Sequence, residues 1–236
     1  MSTLADTDGL APLLAQFQLT DSGFPSGMYT LSHGLEGYVQ LRITGPETLR
    51  ELLTDLLHHA VGPADAAALV LAHRAAAEGD WDRLVQVDRR LHAIKLSREQ
   101  RTASVRTGRQ VLDTAAFAFP VPEAARLAEL VKEKSTPGNH AVVVGAIYAG
   151  LGVPVEQAVA GDLYAFAASW TAAAVRLART DFRRAQALLR EIRPDLVEAA
   201  RTALAAEDPR DLHGSVPVAD VVSAAHERAE ARLFVT

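Results

Sequence analysis

The sequence predicts an all-α fold, a single helical bundle of roughly ten helices spanning residues 1–236. Three observations carry that prediction. Apolar residues recur at helical spacing, as in Leu49, Leu52, Leu53, Leu56 and Leu57. Capping residues, glycines and prolines divide the chain at intervals suited to helices of ordinary length. No run alternates apolar and polar residues with the period of a half-buried strand.

The elements follow in order. Asp21 to Gly27, with Gly23, Pro25 and Gly27, is an irregular loop. Thr44 and Glu47 have the spacing of a capping box for the leucine-rich helix that follows. Gly62-Pro63 is expected to end that helix and start another, running to Gly79. Asp80 caps the next segment, and Ser97 with Gln100 opens a long helix through Phe117, where Pro120 and Pro122 interrupt. Thr136-Pro137-Gly138-Asn139 is a turn, with Asn139 placed to cap a helix starting at His140. On that helix Ala141, Gly145 and Ala149 form a face of small residues that admits a close neighbour. A long helix from Pro154 reaches about Arg179, and Asp181, Pro194 and Pro217 mark three further starts.

Composition narrows the function. Hydrophobic residues make up 49% of the chain and charged residues 22%, a globular mixture. A net charge of −5 argues against a general binder of nucleic-acid backbone. Cysteine is absent, which removes disulfides, thiolate metal sites and cysteine nucleophiles. Met1 to Gly9 carries Asp6 and Asp8 and no basic stretch, so no signal peptide is expected there. The most apolar stretch, Ala141 to Val155, is broken by glycines and Pro154. It falls short of the ~18 residues of a membrane span. A cytoplasmic location, with no membrane partner, is the expectation.

Catalytic signatures are missing: there is no phosphate-cradling loop, dinucleotide fingerprint or nucleophile elbow. His33 and Glu36 would share a helical face and suit a metal. His226-Glu227 resembles the first half of a zincin motif, but position 230 is Glu. The simpler account is that the histidines, His58-His59 among them, serve packing or the surface. No catalytic residue, metal or cofactor is therefore expected. Arg98, Arg101, Arg106 and Arg109, around Ser97, Ser104 and Gly108, suit either an anion or partner site or a solvated helix face.

Three segments together resemble the urease accessory protein family UreF. The first runs Phe24-Pro25-Ser26-Gly27-Met28-Tyr29-Thr30-Leu31-Ser32-His33-Gly34-Leu35-Glu36. The second is His140 to Gly152 together with Ala174-Val175-Arg176-Leu177 and Gln186. The third is His226-Glu227 followed by Arg232-Leu233-Phe234. Arg98 to Arg109 matches in style. The departures are Leu31 and the segment with Arg179, Thr180 and Ala185, where the family usually turns differently.

The resemblance implies an all-helical homodimer, not an enzyme, that assists urease maturation. It would bridge a second accessory protein and a nickel-carrying GTPase, and regulate GTP-dependent nickel insertion into apo-urease. Tyr29 and Arg232 match positions implicated in engaging the GTPase, and Arg232 to Phe234 matches a tail used in accessory-protein contact. Pro25, Gly27, Ser32, Gly34, Leu35, Glu36, His140, Arg176, Gln186, His226 and Glu227 belong to the matched signature. A flexible N-terminal segment and a C-terminal tail at about 231–236 are expected to flank the domain. Deleting Arg232 to Thr236 is expected to leave the fold intact and to abolish partner recruitment. Two other readings compete: a helical-bundle metal enzyme built on His33, Glu36, His140 and His226, and a generic helical adaptor.

Overall fold

The computed structural model describes residues 9–236; the N-terminal segment expected to be flexible lies outside them. The described residues form α-helices and short turns, with no strand. The helices are α1 (Leu10–Thr20), α2 (Leu35–Gln40), α3 (Leu49–Leu56), α4 (Ala67–Glu78), α5 (Trp81–Ile94) and α6 (Arg98–Ala118). They continue with α7 (Pro122–Lys132), α8 (His140–Gly150), α9 (Val155–Arg176), α10 (Phe182–Glu191), α11 (Arg193–Leu204) and α12 (Pro217–His226).

Helix α8 runs through the middle of the bundle. Every residue from Ala141 to Tyr148 is buried, with α4, α6, α7 and α9 around it. Burying side chains such as Val142, Val143 and Ile147, each 0% exposed, stabilises the fold by about 1.5–3 kcal/mol apiece. The closest neighbour is α4. A Cβ on Gly145 would sit 2.5 Å from the Leu69 carbonyl oxygen, so only glycine lets these two backbones meet. The small-residue face is therefore consumed within the chain and supplies no surface to a second copy.

Several local expectations change. Gly62-Pro63 does not break the chain's path: Leu57–Ala66 is a π-helical segment that joins α3 to α4. A wide turn accommodates a proline that lacks an N–H and would clash with the preceding turn of a regular helix. Gly62 lets this segment pass close to Ala199 on α11. The capping box at Thr44 is not formed; Thr44 and Thr48 hydroxyls bond each other at 2.9 Å, and α3 starts one residue after Thr48.

Asp80, Ser97 and Asp181 do cap α5, α6 and α10 through their side chains. Asn139 stands at the N-cap of α8, but its amide is drawn to Asp88 instead. The fully buried Asp88 carboxylate accepts from the Thr136 hydroxyl at 2.6 Å and from the Gly138 and Asn139 amides at 2.7 and 3.1 Å. One side chain of α5 thus shapes the turn that launches α8.

By length and composition α9 is apolar enough to cross a membrane, which the sequence reading had not anticipated. Its inner face, including Leu163 and Trp170 at 0% exposure, instead packs in the core. The divergent segment after α9 still turns: Ala178 takes a left-handed conformation at φ 54°, and the Arg179 amide closes back onto the Ala174 carbonyl.

Candidate docking face around the anchored C-terminal tail

The signature loop begins with Phe24 buried and Pro25 exposed. Gly27 has φ 78°, a left-handed conformation, and a Cβ there would meet the Gln110 side-chain oxygen at 2.7 Å. The turn delivers a short 3₁₀ element, Met28–Thr30, that holds Tyr29 out at 72% exposure. Arg176, at the end of α9, donates to the Tyr29 carbonyl. Its guanidinium lies 4.1 Å from the Tyr29 ring centroid and 4.4 Å from that of Phe234. A cation between two rings favours one mutual arrangement of loop, helix end and tail.

The tail runs beside the loop. The Ser32 amide donates to the Thr236 carbonyl at 3.0 Å, and the Val235 amide to the Thr30 carbonyl at 2.9 Å. Gly34, at φ 88°, turns the chain into α2 and sets Glu36 in its first turn. The buried Glu36 carboxylate accepts the Leu233 and Phe234 amides at 2.7 and 2.9 Å. It also accepts from His226 Nε2 at 3.0 Å. The other ring nitrogen, Nδ1, lies 3.0 Å from Glu99 Oε1, and Arg232 donates to that same carboxylate at 3.1 Å. Ser97 and Ser223 complete the set, 2.7 Å apart.

A carboxylate against each nitrogen favours the protonated form of His226, which donates from both. The hydrogen bond to Glu99 raises its pKa above 6.5; burial opposes this and the Glu36 hydrogen bond adds to it. Burial pushes Glu36 upward, but the Leu233 amide, His226 and the Phe234 amide together hold it below its ordinary 4.5. Two carboxylates, one imidazolium and one guanidinium balance. Such a closed set survives burial where a lone charge would not.

Two readings change here. His33 and Glu36 do not share a helical face. His33 precedes α2 with φ 52°, and its ring bonds Ser169 at 3.0 Å and packs edge-on against Phe166. Burial, then repulsion from His140, lowers its pKa to about 4. His140 faces Asp162 at 3.5 Å, and both histidines line a cavity of about 480 Å³ between the signature loop, α6, α8 and α9. Among the described residues no group of three or more His, Asp and Glu is arranged to hold a metal.

The tail is the second correction. Phe234 and Thr236 are each 4% exposed, so the tail packs on its own domain and its removal would uncover Glu36 and the signature loop. Leu233, at 67%, and Val235, at 40%, face outward, as does part of Arg232.

The structure gathers Gly27, Tyr29, Ser32, Gly34, Glu36, Arg176, His226, Arg232, Leu233 and Phe234 around this anchor. Leu35 is fully buried beside it, and Glu227 sits at its edge, accepting from Arg98. Gln186 is left apart, exposed on α10. Sequence reasoning missed Glu99 and Asp88. Glu99 reads as an ordinary acidic residue of a first helical turn, and only tertiary proximity reveals its partners.

A family model described as UreF matches residues 43–193, well over half of the chain. The chain belongs to the UreF family. It is 32% identical over 227 residues to "Urease accessory protein UreF 2" of Brucella canis, covering 96% of this chain and 93% of that protein. Over 228 residues it is 31% identical to "Urease accessory protein UreF" of Bacillus sp. (strain TB-90), covering 95% and 99%. A UreF of Kocuria rhizophila is 31% identical over 232 residues, covering 96% and 98%. The UreF match takes in α3 to α10 and so the whole central packing of α4 on α8, while the Tyr29 loop and the tail stand outside it.

Proposed function

We propose that this chain is a non-catalytic adaptor of urease maturation. In this reading the face formed by Tyr29, Arg232 and Leu233, braced by Arg176 and Phe234, engages a nickel-carrying GTPase. The adaptor links that GTPase to a second accessory protein and to apo-urease, and so regulates GTP-dependent nickel insertion. Membership of a family of urease accessory proteins supports a role in urease maturation and implies that the role is not catalytic. The cytoplasm and a homodimeric state belong to the same proposal. With the small-residue face buried, the dimer rests on the family alone.

One observation carries the assignment of the face. An ionic anchor, buried at Glu36, His226 and Glu99 and closed by the part-exposed Arg232, holds two large side chains, Tyr29 and Leu233, out in solvent on neighbouring segments. Exposed aromatic and aliphatic anchors on a rigid base are what an interface needs to be pre-organised. The residues that suggested a metal enzyme are otherwise engaged. Glu36 and His226 form the anchor, His33 bonds Ser169, and His140 faces Asp162.

The test is co-expression with the cognate accessory GTPase and second accessory protein, followed by pull-down and gel filtration. Tyr29→Ala and Leu233→Ala are expected to lose the GTPase while melting like the parent. Undiminished capture of the GTPase by both variants would refute the assignment.

A further inference from the structure

The outer side of α6 carries Arg98, Arg101, Arg106 and Arg109 at i, i+3, i+8 and i+11, a ridge about 16 Å long at 1.5 Å per residue. Among the described residues, Arg98 is the one of the four paired with a carboxylate, that of Glu227. Arg101 donates to the Lys95 and Leu96 carbonyls, beyond the end of α5. Arg106 donates to the Thr30 hydroxyl at 2.7 Å, and Arg109 to the Pro137 carbonyl at 3.4 Å. These three guanidiniums thus bond neutral acceptors, which leave their charge uncancelled. The ridge is continuous with the docking face, because Thr30 follows Tyr29 and its carbonyl receives the tail at Val235.

We propose that the α6 arginine ridge is the electrostatic half of that docking face and takes a carboxylate-rich surface on the protein that engages Tyr29. The proposal rests on the docking reading above. A protein with net charge −5 repels an acidic partner overall and attracts it at such a ridge, so the ridge selects orientation as well as partner. Planar guanidiniums match carboxylates with two parallel hydrogen bonds. Interleaved Thr102 and Val105, with Tyr29 and Leu233 alongside, suit a folded protein surface better than a continuous polyanion.

The experiment measures association and dissociation of the cognate accessory GTPase on full-length protein at about 50 and 200 mM salt. Arg106→Glu with Arg109→Glu is expected to lower affinity about tenfold or more, mostly through association rate, and to flatten the salt dependence. Arg183→Glu with Arg190→Glu on α10 changes net charge equally and should leave affinity within about twofold. Arg106→Lys with Arg109→Lys keeps the charge and should keep most of the binding. Should the doubly reversed protein fail to fold, Arg109→Glu alone carries the test, since its contact is a single long hydrogen bond.

Unchanged binding by the α6 variant, with Tyr29→Ala still disruptive, would overturn the ridge and leave the docking face standing. No effect from either would overturn the docking reading itself. Equal weakening by the α6 and α10 pairs would reduce the effect to net charge. Ridge-dependent retention of a short DNA duplex would overturn the choice of a protein surface.

Discussion

Removing Arg232 to Thr236 tests whether the tail is part of the fold. Phe234 is 4% exposed, and truncating a buried phenylalanine costs about 3–5 kcal/mol. One face of its ring meets the Arg176 guanidinium rather than the hydrocarbon core, so we take the lower end, about 3 kcal/mol. Deletion also strips Glu36 of its two amide donors and Glu99 of Arg232, leaving buried carboxylates with fewer partners. For a chain of this size each kcal/mol shifts Tm by about 2–4 °C. The truncated protein should therefore melt at least about 6–12 °C below the parent in a scan followed by circular dichroism. Phe234→Ala should give most of that loss. Leu233→Ala, at a side chain 67% exposed, should shift stability by no more than about 0.5 kcal/mol. A truncated protein melting within about 1 °C of the parent would refute the structural role of the tail.

The remaining predictions concern the anchor and the core. His226 titrates above 6.5 in the fold, so its contribution is complete below that value and is lost as pH rises through the raised pKa. Glu36, held below 4.5, contributes above its unfolded value and loses its effect as pH falls through the lowered one. His226→Gln should accordingly flatten the alkaline limb of Tm against pH; an identical limb in parent and variant would exclude the coupling. His33 acts with the opposite sign: its pKa of about 4 means stability falls as pH drops from 6.5 toward that value. His33→Gln should remove that part of the acid limb, and a variant with the parent's acid limb would count against it. Asp88→Ala leaves the Thr136 hydroxyl and the Gly138 and Asn139 backbone amides buried without that acceptor. It should cost about 3 kcal/mol or more in urea unfolding, and a change under about 1 kcal/mol would count against the network. Gly145→Ala drives a Cβ to 2.5 Å from the Leu69 carbonyl oxygen. About 1–3 kcal/mol of destabilisation is expected, and an equally stable variant would show that α4 and α8 can separate freely.

What the sequence determined by itself was local or carried by motif. Helical spacing of leucines, side-chain caps at Asp80, Ser97 and Asp181, and prolines at the starts of α7, α11 and α12 are short-range signals. They depend on neighbours within a turn or two, so an all-α chain and most of its boundaries were legible. The signature loop and the His226 to Phe234 ending were legible as a family resemblance, without geometry. Where local rules failed, tertiary packing had overridden them. Pro63 sits inside a continuous helical path because a π turn absorbs it against α11, and Asn139 turns from capping to Asp88 because a buried carboxylate outbids its own helix.

Only the tertiary structure decided what the tail does. Glu36, Glu99, His226 and Arg232 are spread over nearly the whole chain, with 190 positions between Glu36 and His226 alone. Nothing in the spacing of such distant residues tells a solvated charge from a buried, compensated one. Their meaning depends on desolvation and on hydrogen-bond partners, which exist only once the chain has folded. The same holds for Leu233 and Phe234. Adjacent apolar residues in a terminal segment look alike in sequence, yet the path of the tail buries one as part of the core and leaves the other facing solvent.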